Sequence, residues 1–173
     1  ISADLAEMRV SLWPGLVRAL LDNQRRQQPR VRLFELGRKF LVERGALREV
    51  PVVAALAAGS ALPEQWGVPA ADVDFFDVRA DLDALLRAGG DAQRFTLVPG
   101  EHPALHPGQA ARILRDGQPA GWIGRLHPQV EQRLGLTYSA IVFELETESG
   151  LAATVPAFTE ISRFPSVRRD IAI

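Results

Sequence analysis

The chain has 173 residues, 47% of them apolar, which suits a folded domain with a real core and excludes a disordered segment. A formal net charge of −1 supplies no global field to draw it onto nucleic acid or an anionic membrane, so local basic clusters must carry any such role. With no cysteine, disulfides, thiolate catalysis and zinc–sulfur sites are excluded, a cytoplasmic protein is the fitting expectation, and no run of about 18 apolar residues offers a bilayer span.

Residues 1–12 read as a lead-in of weak helical character, with Ser11 as a helix N-cap and Pro14 at an early position that tolerates proline. A helix is predicted over Pro14–Gln27, where Leu16 and Leu20, and Val17 and Leu21, repeat at i,i+4. Its last turn carries Arg25 and Arg26, which suit the negative end of the helix dipole, and Pro29 stops it. Val31 to Gly59 then organises the chain. Val31, Leu33 and Glu35 alternate with Arg30, Arg32 and Phe34 as a strand with a buried face. Val52 to Ala58 is continuously apolar, as a strand covered on both faces would be. A charged loop with Gly45, closed by Pro51, is expected between them, and the two strands are expected as an antiparallel hairpin at the centre of a sheet.

Residues 60–74 hold two prolines and a glycine and read as a surface excursion pinned by Trp66. A second helix is predicted over Asp77–Ala88, with Leu82, Leu85 and Leu86 inward, Phe75 and Phe76 anchoring its start, and Gly89–Gly90 ending it. Short strands follow at 94–99, 111–115 and 120–126, the last two joined by a turn at Asp116–Gly117. The stretch 100–109 between the first two is expected as a proline-stiffened loop. His127–Pro128 opens a short helix to Leu134, and Ser139–Glu146 is a further strand. Residues 150–154 read as a further helical turn, and the tail from Ala157 as an extended linker into a new strand. About three helices and six or seven strands with hairpin links predict an α+β fold with a largely antiparallel sheet. The start at Ile1 and the finish on a strand-like RRDIAI suggest a piece of a longer protein.

Several constellations bear on chemistry. His102 and His106 stand at metal-ligand spacing, but Pro103 and Pro107 preclude a regular helix and no HExxH occurs. Backbone hydrogen bonding is the expected use of His102, His106 and His127. No phosphate-binding glycine motif and no GxSxG is present, and Gly121-Trp122-Ile123-Gly124 fits close strand packing. The single lysine, Lys39, is expected on a central strand, away from any nucleophilic role. Arg25, Arg26, Arg30 and Arg32, and Arg163, Arg168 and Arg169 around Phe164, form basic clusters suited to an RNA backbone or to ordinary ion pairs.

Beyond periodicity, MRVSLWPGLVRALLDNQRRQQPRVRLFELGRKF resembles the synthetase-like core of bacterial phenylalanyl-tRNA synthetase β subunits. VDFFDVRADLDALL, HPALHPGQAARILRDGQPAGWIGRLHPQVEQRLGL and VFELE continue the likeness in order, and EISRFPSVRRDIAI resembles the junction to that subunit's C-terminal domain. The resemblance implies a class II aminoacyl-tRNA synthetase-like antiparallel sheet flanked by helices. Residues 1–161 would form the core, and 162–173 the linker and truncated start of a ferredoxin-like anticodon-binding domain. It implies a phenylalanine-tRNA ligase working with ATP and Mg2+ as an (αβ)2 heterotetramer on tRNA(Phe), with no membrane partner. In it the α subunit is catalytic and the β core is a scaffold.

Class II sites use an arginine after an aromatic in an F-R-x-E pattern. Here Phe40 is followed by Leu41, Val42 and Glu43, with Arg38 and Arg44 close by but out of place. The glycine-rich motif that should end in arginine is replaced by FELETESGLAAT, where Glu144, Glu146 and Glu148 would repel a triphosphate. No catalytic, cofactor-binding or metal residue is therefore assigned, and the candidate tRNA contacts are Arg25, Arg26, Arg163, Arg168 and Arg169. The alternatives are a free-standing RNA-binding domain or a relic adenylate-binding domain.

Overall fold

A computed structural model describes residues 7–43, 45–90 and 92–150, the side chains of Ser149 and Gly150 excepted. The predicted boundary at 161/162, Arg44, and Arg163, Arg168 and Arg169 lie outside the described residues. Helix α1 (Trp13–Arg25) leads into strands β1 (Arg30–Glu43) and β2 (Ala46–Gly59). Helix α2 (Phe75–Ala88), a 3-10 turn (Ala92–Arg94) and strands β3 (Phe95–Pro99), β4 (Leu105–Arg115) and β5 (Gln118–Leu126) follow. Helix α3 (Pro128–Leu134), β6 (Ala140–Glu146) and the short α4 (Thr147–Gly150) complete the described chain. The fold is α+β, with one antiparallel six-stranded sheet in the order β1-β2-β6-β5-β4-β3.

The sheet is sandwiched. On one face α1 sets Leu12, Leu16 and Leu20, together with Trp13 and Val17, against Val52, Ala54, Leu56 and Val142. On the other, α2 sets Val78, Leu82 and Leu86 against Val53, Ile123, Ile141 and Phe143. Each such large side chain contributes about 1.5–3 kcal/mol by leaving water. β6 lies between the two layers and is buried from Ala140 to Leu145, which accounts for its near-continuous apolar run, interrupted by Glu144.

Local chemistry fixes the ends. Asp74 and Asp77 form a reciprocal capping box at the start of α2: Asp74 Oδ1 accepts from the Phe76 and Asp77 amides, and the Asp74 amide donates to Asp77 Oδ2. Asp116 and Gly117, at φ 49° and 76°, make the two-residue turn that matches strand twist, where the sequence places it. His127 Nδ1 accepts from the Gln129 amide to cap α3, and Gly135 ends it in the left-handed region.

Several expectations are corrected. The β1–β2 hairpin is at the edge of the sheet, with β2 inside and β1 outermost, so Lys39 is on an edge strand. The expected charged loop is absent: strand pairing continues from Arg30↔Gly59 to Glu43↔Ala46, making a long ribbon. Cross-strand ion pairs Arg38–Glu49 and Arg48–Glu43 tie its polar end. Pro51 is accepted because it stands just before the paired stretch with β6, which begins at Val52↔Glu146. β4 absorbs much of the expected 100–109 loop through an irregular register between Leu105 and Ala110. Residues 7–12 are not helical. Trp66 is fully exposed and pins nothing, and Phe76 is exposed while Phe75 packs on the core.

Candidate functional site

Strand register gathers the site on the α1 side of the sheet. Lys39 lies opposite Val50, Ala54 opposite Glu144, Glu144 opposite Trp122, and Trp122 opposite Arg112. Because strand residues alternate, Glu35, Lys39 and Leu41 of β1, Glu144 and Glu146 of β6, Trp122 of β5 and Arg112 of β4 share that face. Residues 9–12 cross it at Gly37, where a Cβ would come 2.5 Å from Arg9 Nη2. Arg9 holds the crossing in place. Its Nη1 meets Glu35 at 2.6 Å, its Nε donates to the Arg38 carbonyl at 2.9 Å, and its own carbonyl accepts from the Phe40 amide at 2.8 Å.

Glu144 is the centre of this arrangement. Its Oε2 accepts from Ser11 Oγ at 2.8 Å and from the Leu12 amide at 2.9 Å. Its Oε1 faces Lys39 Nζ at 3.3 Å, and Lys39 also meets Glu146 at 3.1 Å. The Lys39 and Glu144 side chains are only 14% and 10% exposed. A carboxylate from β6 therefore caps the start of α1 and neutralises the lone lysine. The expected Ser11 cap takes a modified form: Ser11 Oγ accepts from the Trp13 amide, but Leu12 is the N-cap residue.

Leu41, where the resemblance implies an arginine, packs against the α1-side core. Arg38 is on the opposite face, ion-paired with Glu49 at 2.9 Å. It does not reach the site.

Beside this network a cavity of about 720 Å³ opens between α1, α3 and the sheet. Trp13, His102 and Trp122 form one wall; Val17, Leu21, Leu126, Val130 and Leu134 form much of the rest. The His102 ring lies 5.3 Å from Trp13, edge to face, and 5.2 Å from Trp122. Trp13 Nε1 donates to the Phe143 carbonyl at 3.1 Å. His102 Nδ1 accepts from the Ala104 amide at 3.2 Å, so the neutral ring carries its proton on Nε2. Burial lowers the His102 pKa below its ordinary value, and Glu144 opposes that shift.

The three histidines go to separate places. His102 joins the two tryptophans, His106 lies on β4 with a buried Nδ1 that lacks a hydrogen bond, and His127 caps α3. Backbone bonding holds for His102 and His127. Gly121 and Gly124 serve close strand approach: added Cβ atoms would lie 2.1 Å from the Glu144 carbonyl and 2.7 Å from the Gln109 carbonyl.

Of the first basic cluster, Arg25 pairs with Asp22 at 3.0 Å, Arg32 with Asp81 at 2.5 Å, and Arg30 Nε donates to the Ala61 carbonyl at 3.4 Å. Arg26 is exposed at the end of α1. A second buried carboxylate escapes sequence reasoning. Glu131 accepts from the Ala140 amide and from Arg125, joining α3 to β5 and β6 and raising the Arg125 pKa.

Residues 1–147 match the family profile described as the phenylalanyl tRNA synthetase beta chain CLM domain. A phenylalanine–tRNA ligase beta subunit of Pseudomonas syringae pv. tomato is 51% identical over all of this chain and 22% of that protein. One from Nitrosococcus oceani is 45% identical over 99% of this chain and, again, 22% of its own length. The chain thus spans about a fifth of the curated relatives it matches. Among solved structures, a pyrrolysyl tRNA synthetase of Desulfitobacterium hafniense has a similar fold, with TM-score 0.58 and 16% identity, covering 81% of this chain and 47% of that one.

Proposed function

The chain belongs to the phenylalanyl-tRNA synthetase β-chain family, and from that premise we propose that it is a catalytically silent, class II-like core that scaffolds the α subunit. The whole enzyme would be a cytoplasmic (αβ)2 ligase that charges tRNA(Phe) with phenylalanine, using ATP and Mg2+ at the α site. Residues 1–161 would be the core and 162–173 the start of the anticodon-binding domain. Arg25, Arg26, Arg163, Arg168 and Arg169 are its proposed tRNA contacts. Among the described residues no helix is long and apolar enough to cross a membrane.

One observation carries the non-catalytic reading. On the face where a synthetase would hold ATP, Glu144 and Glu146 take up Lys39, Glu144 caps α1, and Leu41 is part of the core. A triphosphate needs cations free to meet it. Here the lysine is already neutralised by two carboxylates, which would themselves repel phosphate.

The test is phenylalanine-dependent ATP–pyrophosphate exchange, run on this chain alone and on the α subunit mixed with full-length β. Exchange by the mixture and none above background by the chain supports the scaffold reading. Exchange by the chain alone overturns it.

A further inference from the structure

We propose that the cavity between α1, α3 and the sheet is a binding site for a small aromatic carboxylate. Its volume, about 720 Å³, is within the range of sites for small organic ligands and exceeds what a single ring compound needs. Trp13, His102 and Trp122 give it a rigid aromatic wall, the kind of surface on which a flat ring packs edge-on or offset. Trp122 is braced from behind: a Cβ on Gly100 would come within 3.0 Å of its ring.

The charges select the ligand's polar end. Glu144 is the acid that lines the cavity, and its oxygens are already occupied by Ser11, the Leu12 amide and Lys39. It has no strong site left for a ligand ammonium. The cations are differently placed. Arg18 lines the cavity from α1 and has no acidic partner among the described residues. Arg112 lies over the Trp122 ring at 5.2 Å but outside the cavity lining, so Arg18 is the cation that a ligand there can meet. The neutral His102 ring offers an Nε2–H donor beside the tryptophans. An apolar ring with a carboxylate and no amine satisfies this set. A free amino acid brings an ammonium that nothing receives, and a nucleotide brings more charge than these walls solvate.

The site does not depend on the scaffold reading, and its test is made without the α subunit. The full-length β chain is titrated with 3-phenylpropionate, followed by saturation-transfer NMR and calorimetry. Saturable 1:1 binding with Kd on the order of 0.1–1 mM is expected from the ligand's size. Arg18→Ala weakens it about twofold to fivefold, as exposed ion pairs do. 3-Phenylpropionamide and L-phenylalanine bind more weakly than the acid. Leu21→Trp, which fills the cavity from a partly exposed position, abolishes binding while the thermal melt shows a folded chain. If that variant melts early, the acid-to-amide ratio in the native chain and in Arg18→Ala decides alone. No saturation up to about 10 mM, far above the expected range, overturns the proposal. So does equal binding of acid and amide, or binding that survives in folded Leu21→Trp.

Discussion

Replacing Glu144 by alanine tests the organisation of the α1 side of the sheet. The substitution removes the acceptor for the buried Leu12 amide and for Ser11, and one of the two carboxylates that hold Lys39. A buried amide left without a partner costs about 1–3 kcal/mol. Breaking a buried ion pair costs about 3–5 kcal/mol when nothing replaces the partner. Lys39 keeps Glu146 at 3.1 Å, so that second cost is only partly incurred. The expected loss is therefore about 3 kcal/mol, below the roughly 4–8 kcal/mol of the two costs taken in full. For a chain of this size that lowers Tm by roughly 6–12 °C. Glu144→Gln keeps an acceptor for the Leu12 amide and loses less, about 1 kcal/mol.

Thermal and urea unfolding followed by circular dichroism measure both. Lys39→Met completes a double-mutant cycle: with Glu144→Ala it should cost less than the sum of the two single changes by at least about 1 kcal/mol, since the residues are in contact. A Tm shift for Glu144→Ala below about 2 °C would mean that water or a neighbouring side chain takes over the cap, and would refute the central role given to this carboxylate.

Gly121→Ala should destabilise by about 3 kcal/mol, the upper end of overpacking effects, because the new Cβ would lie 2.1 Å from the Glu144 carbonyl; urea midpoints measure it, and a neutral result shows that β5 and β6 can separate without cost. His102 is held below its ordinary pKa of 6.5 mainly by burial, so the unfolded chain binds that proton more readily. Its contribution to stability is complete above about pH 6.5 and is lost as pH falls through the folded-state pKa. Melts over roughly pH 8 to 5 should show this acid-side loss flattened in His102→Gln, and an unchanged slope assigns the loss to other groups. In the whole enzyme, changing Arg25 and Arg26 to alanine should raise KM for tRNA about twofold to tenfold with kcat retained if they meet its backbone; an unchanged KM removes them from the interface.

The helices were legible because their signals are local. Leu16, Leu20, Val17, Leu82 and Leu86 follow helical spacing, and Pro29, Gly89 and Gly135 mark where continuation is unfavourable. The hairpin lies at the edge of the sheet and not at its centre, and the sequence holds the clue. β2 from Val52 to Ala58 and β6 from Ala140 to Phe143 are continuously apolar, whereas β1 alternates, with Phe34 and Leu36 exposed. A strand inside a two-sided sandwich needs apolar residues on both faces; an alternating one is more at home at an edge. The charged residues at the far end of the β1–β2 ribbon suggest a loop between two strands. They instead face solvent in register, Arg38 beside Glu49 and Arg48 beside Glu43.

The charges of the site were legible, and their assembly was not. Leu41 in place of an arginine and the acidic run at Glu144 and Glu146 are readable in one dimension, and repulsion of phosphate follows from charge alone. What the acids do instead depends on partners far away in sequence. Ser11 and Leu12 meet Glu144 across 133 and 132 positions, and Lys39 meets it across 105. Trp13, His102 and Trp122 likewise come together only when α1, the turn before β4 and β5 are placed on one sheet. One signal was nevertheless present. A glutamate inside the apolar run Ile141–Leu145 must be paired if the strand is internal, because an unpaired charge there would cost more than its neighbours contribute. Of the residues able to pair with it, the single lysine shares its face, and the start of α1 supplies amides that the helix itself cannot satisfy. The acid whose charge would repel a phosphate is thus the one that fixes α1 to the sheet, so replacing it would loosen the helix that forms one wall of the cavity beside it.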